Sequence, residues 1–365
     1  MKPKALLFYS YLPPWRIDIF NEMGKYYDLT IVFLFKNPKG FEYDQSELTN
    51  RLKVNYIFIE GGVSIGSRQF HTGIGALLKK YKPKIVFSHE YSPTSVLISL
   101  LLKLKIFSFQ YVITTSDNTF MVNHSSIFRK IARSFILSKV NGIIVYSDAV
   151  KNLYEMKYQH LKIEVCPNIQ NPLSLLSNEI QLEKEIENHV ENFNLKGFKI
   201  VLYIGRFNKV KGLQLLLDAF SKTGKKNWKL VLVGDGELNS SLQEQAKKLG
   251  ISDQLVLPGK FYRTELYAWY KLANFFVLPS TYEPFGAVVN ESLVFGTPVI
   301  LSKYCGSLDY IKEGQNGHIF DPLNAGVYPM ILKNAMEKYA DKQLHSKNLM
   351  HVDFKDYPKV FTNFT

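Results

Sequence analysis

The chain has 365 residues, 46% hydrophobic and 21% charged, a composition that excludes a disordered protein and is long enough for two cores. Its net charge is +13, and residues 1–168 hold 22 Lys and Arg against 12 Asp and Glu, so ten of those charges lie in the first half. A basic half attracts phosphorylated or acidic partners and anionic surfaces; no nucleic-acid-binding motif accompanies it, and DNA and RNA are set aside.

Short apolar runs alternate with amphipathic stretches, the rhythm of parallel α/β sheets. Ala5–Ser10 reads as the first strand, with an apolar run too short for a signal peptide. It enters the loop Tyr9-Ser10-Tyr11-Leu12-Pro13-Pro14-Trp15-Arg16 ahead of a helix from about Ile17. Arg16 is there either a ligand contact or part of a helix-entry turn built on a structural Trp. Strands follow at Leu29–Leu34, Tyr56–Ile59 and Ile85–Ser88, the last preceded by the basic cluster Lys79–Lys84. Ser88-His89-Glu90 ends that strand, and His89 is a site candidate or a satisfied loop histidine. Val96–Leu102 is too short to span a bilayer. After the strand Tyr111–Thr115 comes Ser116-Asp117-Asn118, where Asp117 is a site candidate or a turn and cap residue. Ile127–Ile136 is a basic amphipathic segment predicted to pack on the sheet through its apolar positions, with a membrane surface as the alternative. Gly142–Tyr146 closes the half.

The stretch Val165–Pro172, rich in Pro and Asn, and the charged segment Glu179–Glu191 form the expected linker, giving domains at 1–170 and 171–350 with a last helix at 351–365. Cys166 and Cys305 lack metal-ligand spacing and predict a reducing, cytoplasmic setting. Strands are expected at Lys199–Ile204, Lys229–Val233, Gln254–Leu257, Phe275–Leu278 and Val299–Leu301. The first ends in Gly205-Arg206 with Lys211 five residues on; Arg can grip a diphosphate through parallel hydrogen bonds and Lys adds a point charge. Gly234-Asp235-Gly236-Glu237 is a weak phosphate-type turn after the second. Glu283-Pro284-Phe285-Gly286-Ala287-Val288-Val289-Asn290-Glu291 follows the fourth. Its helix is predicted to start near Gly286 and stop at Gly296-Thr297-Pro298. The eight residue steps from Glu283 to Glu291 span about 12 Å at helical rise, with an anion-favouring helix N-terminus between the two carboxylates. Any such spacing also arises from ordinary surface charges.

Together, in order, Gly205-Arg206…Lys211 and Glu283-Pro284-Phe285-Gly286…Glu291 resemble the retaining glycosyltransferases of family 4, whose signature is two glutamates with seven residues between them. The resemblance implies the GT-B fold: two Rossmann-like doubly wound α/β domains facing a cleft, an N-terminal acceptor-side domain, a C-terminal domain for the nucleotide sugar, and a last helix crossing back to the first. It implies a UDP- or GDP-sugar donor, a glycan or lipid-linked acceptor, no required cofactor and no metal, with an anionic membrane surface as a further partner. Glu283 would hold the transferred sugar and Glu291 the ribose. Arg206 and Lys211, with Gly205 and the Phe285, Gly286, Ala287 and Val288 backbone, would face the diphosphate, and the backbone at Phe261 the base. Arg16, His89 and Asp117 fall on the acceptor side, Asp117 as the group that orients the acceptor hydroxyl and Arg16 against the diphosphate or an acidic acceptor. The first loop lacks the Gly-Gly of many relatives. A nucleotide-sugar epimerase of the same fold, or a catalytically silent nucleotide-sugar-binding protein, are the rival readings.

Overall fold

A computed structural model describes residues 1–365 except 38–42, 60, 66–67, 177–178, 342–346 and 365. The chain divides into two compact units, Met1–Gln170 with Phe354–Thr365, and Asn171–Asp353.

In the first unit the strands are β1 (Lys4–Tyr9), β2 (Asp28–Phe33), β3 (Asn55–Phe58), β4 (Val63–Ile65), β5 (Arg68–Phe70), β6 (Ile85–His89), β7 (Gln110–Thr114), β8 (Gly142–Val145) and β9 (Lys162–Val165). Among the described residues a seven-stranded parallel sheet runs β3-β2-β1-β6-β7-β8-β9, and β4 pairs β5 in a small antiparallel ribbon. Leu6, Leu7, Phe8 and Val86 are at most 1% exposed, because helices cover both faces of a parallel sheet and its central strands must be apolar throughout. Strand order reverses between β1 and β6, a switch point that leaves an opening at the carboxyl ends of those strands.

The last residues of the chain complete this unit. Tyr27 Oη donates to the Phe361 carbonyl at 2.6 Å, Phe361 packs edge-on against Phe87, and Phe361 and Phe364 are both 1% exposed. The segment predicted as one helix is two 3₁₀ helices, Phe354–Asp356 and Pro358–Phe364. Pro358 has no N–H for an α-helical bond back across that junction.

In the second unit β10 (Lys199–Ile204), β11 (Trp228–Val233), β12 (Leu255–Gly259), β13 (Phe275–Leu278), β14 (Val299–Ser302) and β15 (Gly317–Phe320) form a parallel sheet of order β12-β11-β10-β13-β14-β15. Here the switch lies between β10 and β13. Pro258 is tolerated inside β12 because that strand is at the edge, where the register with β11 also shifts.

Within the stretch expected as a linker, β9 runs through Val165, and Cys166, Ile169 and Gln170 are 0%, 1% and 6% exposed; the two units divide after Gln170. One expectation needs correction. The helix Ile127–Leu137 buries Arg133, Ile136 and Leu137, while Ile127, Phe128 and Ile131 are more than 60% exposed. Its apolar positions were expected to pack on the sheet; Ile136 and Leu137 join the core, whereas the first two turns leave theirs outside and buried Asp117 draws Arg133 in. Among the described residues no helix is long and apolar enough to cross a membrane.

Candidate functional site

The second unit concentrates its chemistry at the switch point. From β10 the chain passes Gly205 and Arg206, whose carbonyl accepts from Tyr203 Oη at 3.0 Å, and enters a 3₁₀ turn, Lys209–Lys211. Gly212 ends that turn at φ 67°, and a Cβ there would lie 2.2 Å from the Pro279 carbonyl oxygen, so the loop after β10 can lie against the loop after β13 only with glycine. Thr281 N–H donates to the Val210 carbonyl at 2.8 Å and joins the two loops. The join brings Lys211 Nζ onto Glu283 Oε2, a half-buried ion pair linking two sequence motifs 72 residues apart.

Glu283 is held by its own backbone as well: its N–H donates to the Tyr304 carbonyl at 3.3 Å and its carbonyl accepts from Gly306 N–H at 3.1 Å. Gly286 follows at φ 90° and caps the helix Ala287–Val294. Val289 N–H bonds back to the Gly286 carbonyl, so the Ala287 and Val288 N–H groups lie outside the intrahelical ladder at the positive end of the dipole. Phe285 is buried against Tyr310 and fixes the entry to that helix. Ser280 and Ser307 side chains are fully buried, each with a hydroxyl that has no hydrogen-bond partner. Inside the helix, Glu291 is 7% exposed and accepts from Tyr270 Oη at 2.7 Å. Burial, and then the Glu291 charge beside it, raise the Tyr270 phenol well above its ordinary range, so it stays a donor. The Phe261 side chain packs against His189 and Trp269, so the base contact expected at this position is one for its backbone. Asp235, in the exposed turn after β11, accepts from Gly236 N–H and Asn239 and pairs with Lys260.

The first unit holds a separate polar network around its own switch point. His89 ends β6, stacks on Tyr9 at 4.3 Å, and is hydrogen-bonded through Nδ1 to Thr114 Oγ1 at 2.9 Å. Burial lowers its pKa to about 4 although Glu90 acts the other way, so it is neutral at pH 7. Glu90 sits at φ 60°, a conformation that is uncommon for a residue with a side chain. Several contacts impose it. Its N–H donates to the Thr114 carbonyl, its carbonyl accepts from Ser95 Oγ, and its carboxylate accepts from Ser116 N–H at 2.7 Å and Arg129 at 3.0 Å. Burial would lift the Glu90 pKa, but His89, Arg129 and Ser116 outweigh it and hold it below the usual value.

Asp117 is 1% exposed, with Arg129 at 2.6 Å on Oδ1 and Arg133 at 3.0 Å and Tyr154 Oη at 2.7 Å on Oδ2. A carboxylate engaged on both oxygens is an anchor in the fold, not a group open to an acceptor hydroxyl; the carboxylate of this network that keeps a quarter of its side chain exposed is Glu90. Sequence reading passed over Glu90, Arg129 and Arg133, although Glu90 adjoins His89 and the two arginines stand four apart on one helix face. Arg16 is 2% exposed, with its guanidinium over the Phe20 and Tyr146 rings. Among the described residues no group of three or more His, Cys, Asp or Glu is placed to hold a metal ion.

Two parallel sheets of this order, with the polar groups at the strand ends, define the GT-B fold. HepE from Anabaena, solved in complex with UDP and glucose, superimposes with a TM-score of 0.71 over 99% of this chain and 95% of that one, at 15% identity. Residues 184–345, just under half of the chain, match the model of the family Glycosyl transferases group 1. An uncharacterized glycosyltransferase of Methanocaldococcus jannaschii is 36% identical over 127 residues, 34% of this chain and 33% of the relative. Alpha-monoglucosyldiacylglycerol synthase of Streptococcus pneumoniae is 32% identical over 228 residues, 56% of this chain and 49% of the relative. The chain thus spans a third to a half of the length of these curated relatives.

Proposed function

We propose that the protein is a retaining glycosyltransferase that moves a hexosyl group from a nucleoside diphosphate sugar to a glycan or lipid-linked acceptor. The observation that carries this reading is the Lys211–Glu283 pair beside the helix N-terminus at Gly286, at the switch point of the second unit. A lysine, a nearby arginine and open helix N–H groups suit a diphosphate, and a carboxylate beside them suits sugar hydroxyls. The complex of HepE with UDP and glucose supports a UDP-type donor, and the name of the pneumococcal relative supports a lipid-linked acceptor.

In this reading the second unit binds the donor and the first unit the acceptor. Glu291, oriented by Tyr270, accepts from the ribose hydroxyls, and Glu283 from those of the transferred sugar. The acceptor oxygen bonds to the anomeric carbon on the face from which the diphosphate departs. The carbon–phosphate-oxygen bond breaks, the acceptor proton passes to the departing phosphate oxygen, and configuration is retained. Arg206, Lys211 and the Ala287 and Val288 N–H groups stabilise charge on the leaving diphosphate, a contribution of several kcal/mol in preorganised sites. Arg206 and Lys211 take the place of a metal in this scheme.

The test is thermal stabilisation by UDP- and GDP-sugars in wild type, Arg206→Ala and Glu291→Gln, followed by transfer to acceptors from a competent extract. One nucleotide should shift the wild type saturably, and both variants should bind it at least about tenfold more weakly, the scale of a lost charge-assisted hydrogen bond. Absence of any nucleotide-dependent shift would remove the reading.

A further inference from the structure

Arg16 lies at the carboxyl ends of β1 and β8, between Phe20 at 5.7 Å and Tyr146 at 5.4 Å from its guanidinium carbon. Its side chain is buried, and Nε and Nη1 have no hydrogen-bond partner. No ion pair among the described residues engages it. A buried guanidinium without an anion is strongly unfavourable, and native proteins keep one where something else supplies the charge. A second observation points to the same place. Arg16 ends a 3₁₀ turn, Pro14–Arg16, that runs straight into the ten-residue helix Ile17–Tyr26, so the orphan cation lies at the start of that helix, at the end that favours an anion. Tyr9 and Tyr146, hydrogen-bonded to each other, add two hydroxyls beside it, and the unit's strand order reverses here.

We infer that Arg16, with the Tyr9 and Tyr146 hydroxyls and the N-terminus of the Ile17–Tyr26 helix, forms an anion site that takes a phosphoryl group of the acceptor. The anion site stands on the geometry of the first unit; its assignment to the acceptor rests on the transferase reading. Phosphate suits it because a guanidinium can donate to two phosphate oxygens while helix N–H groups take another. A sugar phosphate or a polyisoprenyl-type lipid phosphate carries that group equally.

The experiment is thermal unfolding and calorimetric titration of the full chain with inorganic phosphate, then with UDP, for wild type, Arg16→Met and Arg16→Lys. Arg16→Met removes an unpaired buried charge, so it should melt above wild type in phosphate-free buffer and lose the phosphate-dependent rise. Arg16→Lys keeps the charge without the fork and should bind phosphate on the order of tenfold more weakly. With UDP saturating, wild type should still respond to phosphate. A phosphate response equal in wild type and Arg16→Met, or absent in wild type, overturns the anion site. Loss of the phosphate response on saturation with UDP, with UDP itself tenfold weaker in Arg16→Met, assigns the site to the donor diphosphate and overturns the acceptor assignment. A glucosyl phosphate and a short-chain lipid phosphate, titrated separately, tell the two acceptor sources apart by which binds more tightly than inorganic phosphate.

Discussion

Asp117 and Arg133 are each buried, and removing one partner of such a pair leaves the other uncompensated. Asp117→Asn keeps the shape and deletes the charge, so it is expected to destabilise the first unit by about 3–5 kcal/mol. Urea unfolding followed by far-ultraviolet dichroism measures that loss, and a change under 1 kcal/mol, roughly the worth of an exposed pair, would contradict the network. His89 predicts a pH dependence. Its folded pKa of about 4 lies below the ordinary 6.5, so between those values the unfolded chain binds the extra proton. The contribution is complete above about pH 6.5 and lost as pH falls toward 4, up to roughly 3 kcal/mol. Glu90, depressed below the carboxylate range, acts in the same direction at lower pH. Unfolding free energies between pH 7 and 4 should fall less steeply in His89→Gln; an unchanged slope would place the titration elsewhere.

At the scale of elements, the Ala287–Val294 helix depends on how it begins. Gly286 has φ 90°, and a Cβ there would meet Leu278 Cδ2 at 3.0 Å. Gly286→Ala should therefore destabilise the second unit by about 1–2 kcal/mol from the left-handed backbone alone. The helix N-terminus would shift with it, so donor binding, read by the same nucleotide titration, should weaken more than Ala elsewhere in the helix weakens it. The stop at Gly296 and the apolar β13 are legible in the amino-acid sequence, because a glycine stop and a four-residue apolar run are local signals. The face of the Ile127–Leu137 helix is not. Its apolar spacing predicts a continuous buried stripe, of which Ile136 and Leu137 are buried, while the demand of Asp117 and Glu90 for positive partners, which depends on β6 and β7 being adjacent, turns Arg129 and Arg133 toward them.

At the scale of the molecule, the last twelve residues belong to the unit that the first 170 build. Deleting 354–365 exposes the surfaces that Phe361 and Phe364 cover and leaves Tyr27 Oη without its acceptor. Buried phenylalanines lost in this way cost about 3–5 kcal/mol each. The truncated chain should melt at lower temperature while the second unit keeps its affinity for the nucleotide; a loss of both together would mean that the two units do not fold independently.

Local windows of the chain specify the α/β class, most of the strands and the two motifs of the second unit, because strand runs, glycine stops and the spacing of Glu283 and Glu291 each fit within a few residues. The strands β9 and β15 escape such reading, since four residues of mixed polarity at a sheet edge carry little signal. Which charges meet is settled by packing alone. Lys211 reaches Glu283 because β10 and β13 are neighbours across a strand-order reversal, Asp117 is spent on two arginines, and Arg16 is enclosed by aromatic rings without an anion. Each of these arrangements joins residues from separate elements, and no local pattern encodes the distance between them.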